Sequence, residues 1–162
     1  MSTPDFKDLL IRGTRLLGRG EVTEALPLLE HAHRLKPDSF EAALNLGGAY
    51  IMAKRFKLAV PILEQAAEAF PEEPQIWVNL GAAHLGNPIL SSDEQQRKAL
   101  DAFNRAIALD PYARNVEYNI GLIHRDRGEI DLAIQAFERA LRVNPNDHDA
   151  RRLIEKLRAA DR

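Results

Sequence analysis

The chain repeats itself, and the repeat limits what it can fold into. Pro37, Pro71, Pro111 and Pro145 are spaced 34, 40 and 34 residues apart. Each closes a similar run: H-A-H-R-L-K-P, A-A-E-A-F-P, R-A-I-A-L-D-P and R-A-L-R-V-N-P. A period in this range means a solenoid. One supersecondary unit cannot bury its apolar face alone, so it stacks on its neighbours.

Further columns share the phase. Ala32, Ala66, Ala106 and Ala140 stand five residues before the prolines. Leu29, Leu63, Phe103 and Phe137 stand three before those alanines, and Ala25, Ala59, Ala99 and Ala133 four earlier again. Gly13, Gly47, Gly81 and Gly121 form a fifth column if six extra residues are allowed between Gly81 and Ala99. A bulky residue follows each glycine three positions on: Leu16, Tyr50, His84, His124. Small residues let helices approach, and large ones fill the space beside them. Glycine inside a helix costs roughly 1 kcal/mol relative to alanine. Its recurrence at one phase predicts that the missing side chain makes room for packing. Each proline ends the second helix of a pair, since it cannot continue the hydrogen-bond ladder.

These residues resemble the tetratricopeptide repeat family. N-L-G-G-A-Y (Asn45 to Tyr50) with Ala59, Leu63, Ala66 and Pro71 is a close match. So is W-V-N-L-G-A-A-H (Trp77 to His84) with Ala99, Phe103, Ala106 and Pro111. The resemblance runs from about Phe6 to Asn146. It implies an all-α fold: a right-handed superhelical α-solenoid of antiparallel helix pairs. The expected repeats span about 6–39, 40–73, 74–113 with the insertion, and 114–147. A capping helix follows at about 148–160, with Ala150, Leu153, Ile154 and Leu157 on one face. Together they form one repeat domain.

Caps and periodicity give expected helix bounds. The first helix is expected to start near Thr3-Pro4, with threonine as N-cap, and to end at Gly18-Arg19-Gly20. The others are expected near 23–35, 40–53, 56–69, 74–86, 93–109, 113–127, 130–143 and 147–160.

Composition removes several function classes. Hydrophobic residues are 45% and charged residues 28%, which describes a folded chain. The net charge of −2 offers no field for nucleic acid or an anionic membrane. With no cysteine, thiol catalysis, disulfides and cysteine–metal sites are excluded. No apolar run approaches membrane-spanning length, and the start M-S-T-P-D-F-K-D lacks a signal-peptide core. The expected compartment is the cytoplasm. The cap helix ending at Arg162 favours an intact end.

In the family the first helix of each pair lines a concave surface. By phase, the resemblance puts Asn45, Asn79 and Asn119 in one column there, with Ile11 breaking it in repeat one. Each amide offers donors and an acceptor to the backbone of an extended peptide. The other reading is structural: the asparagines bond across neighbouring helices. The remaining expected groove residues are Leu10, Thr14, Leu44, Gly48, Met52, Val78, Ala82, Tyr118, Leu122 and Arg125. An apolar strip left exposed after stacking suggests a protein ligand, unless curvature or the cap helix covers it. Members that bind chaperone tails hold a carboxylate with lysines, an arginine and asparagines. At the matching positions this chain has Leu10, Thr14, Asn45, Gln75 and Asn79, and only Asn45 survives. A chaperone C-terminal tail is therefore rejected as ligand.

The insertion falls within G-N-P-I-L-S-S-D-E-Q-Q-R-K. Ser91 with Glu94, or Ser92 with Gln95, reads as a capping box. The helix after it is expected to be about two turns, or ~10 Å, longer than its counterparts. Ile89 and Leu90 either fold over the repeat edge or contact a partner. His84 and His124 share a column and read as packing residues; a metal would need further ligands. His31 and His33 point to different faces. Glu64, Glu68, Glu72 and Glu73 read as a solvated face. Trp77 reads as core. Gly18-Arg19-Gly20 lacks the strand and lysine–serine context of a phosphate loop. No nucleophile, base and orienting group are recognisable, so no enzyme and no cofactor are expected. The expected function is a non-enzymatic protein-interaction module that binds an extended or helical segment in its groove. The alternatives are a self-associating scaffold, or the interaction domain of a larger protein.

Overall fold

The computed structural model describes residues 5–160, and every regular element among them is an α-helix. The order is α1 (Phe6–Gly18), α2 (Val22–Leu35), α3 (Phe40–Met52), α4 (Phe56–Ala69), α5 (Pro74–Leu85), α6 (Asp93–Leu109), α7 (Val116–Asp126), α8 (Ile130–Val143) and α9 (His148–Ala160). Consecutive helices pair as α1/α2, α3/α4, α5/α6 and α7/α8, each pair stacks on the one before, and α9 packs on α8. This is the expected helical solenoid.

The glycine column is where each pair closes. A β-carbon built on Gly13 would lie 2.7 Å from Leu29, and one on Gly47 would lie 2.5 Å from Leu63. At Gly81 it would meet Phe103 at 2.5 Å, and at Gly121 it would meet Phe137 at 2.6 Å. All four partners are fully buried. The alanines at 25, 59, 99 and 133 are fully buried too, so the small–large alternation read from the sequence is the packing itself.

Within three pairs the turn is one motif. The Gly20, Lys54 and Gly128 amides bond back three residues, and those of Glu21, Arg55 and Glu129 bond back five. That is the Schellman arrangement, and it puts residues 20, 54 and 128 in the left-handed region (φ 77°, 60° and 75°). The third pair departs because of the insertion. There α5 is one residue shorter than α1 and α3, the loop 86–92 is four residues longer, and α6 is three residues longer than its counterparts. The expected two-turn extension of α6 is therefore corrected to less than one turn, about 4.5 Å. Most of the extra chain forms loop. Ser92 and Gln95 make the reciprocal capping box, whereas Ser91 donates to the Pro88 carbonyl.

Four expected helix starts shift, that of α9 by one residue, from 147 to His148. Thr3 and Pro4 lie outside the described residues, and the cap position of α1 is occupied by Asp5. Helix α2 begins at Val22 behind Glu21, one residue before Thr23. Helix α7 begins at Val116, not 113. The Asp110 carboxylate accepts the Tyr112 amide and holds a turn, and Asn115 then takes φ 65°. Asparagine tolerates that conformation.

Candidate peptide-binding groove

Helices α1, α3 and α5 pack side by side, which brings the first helices of successive pairs onto one wall. Asn45 and Asn79 of the asparagine column stand on it, on α3 and α5, and Asn119 follows on α7; the three differ in what they touch. The Asn45 Nδ2 donates to Thr14 Oγ1 at 3.0 Å, joining α3 to α1. One pair further on, the residue in the position of Thr14 is Gly48, and the Asn79 amide lies over its bare backbone, 3.7 Å from where a β-carbon would be. In the next pair that position holds Ala82, opposite Asn119 in phase. The side chains of Asn79 and Asn119 have no hydrogen-bond partner among the described residues. Both are half-buried and keep their amides available.

A depression of about 500 Å³ opens on this wall. Leu44, Asn45, Gly48, Val78 and Asn79 line it, all on α3 and α5. Leu17, Pro74 and Gln75 extend the lining, and the loop before α7 closes it with Asp110, Tyr112, Ala113 and Arg114. Sequence reasoning did not place that loop in the groove. The one signal was the Asp110–Pro111 turn, which gives no indication of which wall it folds over. Tyr112 is 74% exposed and stands at the mouth. Arg114 and Asp110 put both signs of charge on the rim.

The other expected groove residues sit elsewhere. Leu10 packs against the first core cluster, and Thr14 is the exposed acceptor for Asn45. Met52 lines a separate depression with Leu26, Pro27 and Glu30 of α2. Ala82 is half-buried on α5. Tyr118 and Leu122 pack into the cluster under α9, where the Tyr118 ring lies 5.6 Å from that of Phe137. The cap helix covers that end of the strip. Arg125 binds Asp126 at 2.7 Å.

A second polar column links successive pairs. The Tyr50 hydroxyl donates to Glu30 at 2.7 Å, and His84 Nε2 stands 3.6 Å from Glu64. Each joins a first helix to the second helix of the preceding pair, 20 residues back in the chain. Burial, reinforced by the Glu30 contact, pushes the Tyr50 hydroxyl up to about 12. Burial lowers the His84 pKa, against an opposing pull from Glu64. His124 pairs with Glu129 at 2.5 Å, and that contact chiefly holds the Glu129 carboxyl below its usual range. Both histidines thus have a structural carboxylate partner. No group of three or more His, Asp or Glu among the described residues converges on a point. No helix among them is long and apolar enough to cross a membrane.

Three sequence models described as "Tetratricopeptide repeat" match residues 16–83, 55–114 and 115–147. Protein bimA of Emericella nidulans is 34% identical over 56 residues, which is 35% of this chain and 7% of that protein. The chain therefore matches only a small part of that relative. Among solved structures, residues 41 to the end of MamA from Desulfovibrio magneticus RS-1 superpose with a TM-score of 0.75 at 25% identity, covering 89% of this chain and 78% of that one. A thermophilic TPR protein of Thermus thermophilus gives 0.78 at 20% identity, covering 96% and 82%, and shows the shared fold.

Proposed function

We infer that this chain, which belongs to the tetratricopeptide repeat family, is a non-enzymatic interaction module that holds an extended or helical segment of a partner protein in its groove. One observation carries the reading. The Asn79 amide is unpaired on the wall formed by α1, α3 and α5 and borders a depression with an apolar floor, and the Asn119 amide, in the same column on α7, is unpaired too. An unpaired amide at the edge of a groove matches the needs of a peptide backbone, which carries one donor and one acceptor per residue. Leu44, Val78 and Tyr112 supply apolar contact, and Gly48 lets a ligand approach the α3 backbone closely. The ligand class is protein, and the mixed charge of the rim favours neither a strongly acidic nor a strongly basic segment.

Affinity capture with wild type and with the Asn45→Ala/Asn79→Ala/Asn119→Ala variant tests this. A protein retained by wild type and lost by a variant of similar melting temperature supports groove binding. Equal retention by both removes the asparagines from the account.

A further inference from the structure

The outer face of the first pair departs from the repeat in a systematic way. In the later pairs one column is Leu46, Leu80 and Ile120, and another is Ala49, Ala83 and Ile123; all six are buried. These positions face the preceding pair across the stack. In the first pair the same columns hold Arg12 and Arg15. Two arginines thus stand where a stacked repeat would need apolar contact, and Arg19 continues the row one turn on. Between α1 and α2 on this face lies a depression of about 670 Å³, floored by Leu16, Pro27 and Leu28 and rimmed by Arg12, Arg15 and Arg19. Glu24 is the acid among its lining residues. Arg12 pairs with Asp8 at 3.2 Å, whereas Arg15 and Arg19 have no carboxylate within ion-pair distance among the described residues.

The complementary surface is on the same chain. Ile89 and Leu90 are 84% and 78% exposed, the most exposed large apolar side chains among the described residues. After Ser91 and the Ser92 cap come Asp93 and Glu94, both exposed in the first turn of α6. Glu94 also reaches Lys98 at 3.3 Å. An apolar pair with two acids close behind complements an apolar floor ringed by arginines in polarity and in sign of charge. The loop follows α5, two repeats along the chain from α1, and none of its residues lines the depression between α1 and α2. End-to-end stacking of copies is opposed, because the exposed side of α9 carries Arg151, Arg152, Lys156 and Arg158 against Asp149 and Glu155, and would meet the arginines of α1.

We propose that the outer face of α1 and α2 binds the 86–94 segment of a second copy of this chain. Each copy carries one loop and one face, so two copies can exchange loops about a twofold axis or continue head-to-tail. The contact is small and charged, so the association is weak and salt-sensitive. It uses no residue of the asparagine wall and stands independently of the groove reading.

Sedimentation velocity of the full chain, from micromolar to millimolar concentration at low salt, tests this. Wild type is expected to self-associate and to dissociate as salt is raised. Ile89→Ser/Leu90→Ser, Arg15→Glu/Arg19→Glu and Asp93→Arg/Glu94→Arg are each expected to abolish association, and combining the two charge reversals is expected to restore it. The neutral pairs Arg15→Gln/Arg19→Gln and Asp93→Asn/Glu94→Gln, expected to weaken association about tenfold, replace any reversal that lowers the melting temperature. A wild type that stays monomeric at millimolar concentration overturns the proposal. So does association unchanged in the single reversals or the neutral pairs, or lost in the variants and not recovered in the combination. A monomer that binds an acidic, apolar peptide on the α1 face would assign that face to another protein and equally overturn the second copy.

Discussion

The Asn45 amide donates to Thr14 across α1 and α3 at 3.0 Å, whereas one repeat later the Asn79 amide faces the bare backbone of Gly48. The same residue in the same column therefore has two roles. Asn45→Ala or Thr14→Ala removes an exposed inter-helix hydrogen bond and should cost about 0.5–1 kcal/mol of stability. Asn79→Ala and Asn119→Ala break no bond and should stay within about 0.5 kcal/mol of wild type. Chemical denaturation of the four single variants checks this. A large loss at Asn79 would mean that its amide is structural.

Glycine substitutions should change sign between the packed column and the other helix faces. Gly81→Ala drives a β-carbon to within 2.5 Å of the buried Phe103 ring and should destabilise by about 1–3 kcal/mol, despite alanine's better helix propensity. Gly18 and Gly48 have no such obstruction. There alanine should stabilise by about 0.5–1 kcal/mol. Gly48→Ala should also narrow the groove beside Asn79.

The turn after α3 contains an unfavourable residue. Lys54 adopts φ 60° where the matching turns use Gly20 and Gly128. Lys54→Gly should raise stability by about 0.5–1 kcal/mol, and Gly128→Ala should lower it by about 1 kcal/mol. Thermal melts of the two variants settle the sign.

Burial lowers the folded-state pKa of His33 and His84 below 6.5. Their neutral forms favour the fold, so that contribution is fully present above pH 6.5 and is lost as pH falls through the lower folded values. His33→Gln/His84→Gln should flatten the acid side of a stability–pH curve. Tyr50 acts in the opposite direction, because its folded value of about 12 lies above the ordinary 10.0. Its contribution is intact below pH 10.0 and is lost as pH rises toward 12. Tyr50→Phe should remove that alkaline step.

The fold was legible in the sequence because every stacking unit repeats the same steric solution. Gly81 opposite Phe103 and Gly121 opposite Phe137 appear as paired columns before any coordinates are known. The groove was half legible. Leu44, Asn45, Gly48, Val78 and Asn79 share a wall because helical phase fixes where they point. Tyr112 and Arg114 reach the same depression through a loop whose path depends on the Asp110 turn and on Asn115 at φ 65°, and periodicity carries no information about either. The six extra residues were visible as a count. Their division between loop and helix was not, because it rests on where α5 ends and where the Ser92 cap starts α6.

The most direct test of the groove is selection of a random peptide library on wild type, followed by measurement of the recovered peptides against Asn79→Ala/Asn119→Ala and Tyr112→Ala. Peptides that bind wild type and lose most of their affinity for both variants, at unchanged melting temperature, are the predicted result. Peptides that bind all three proteins equally would contradict the assignment of this wall as the binding surface.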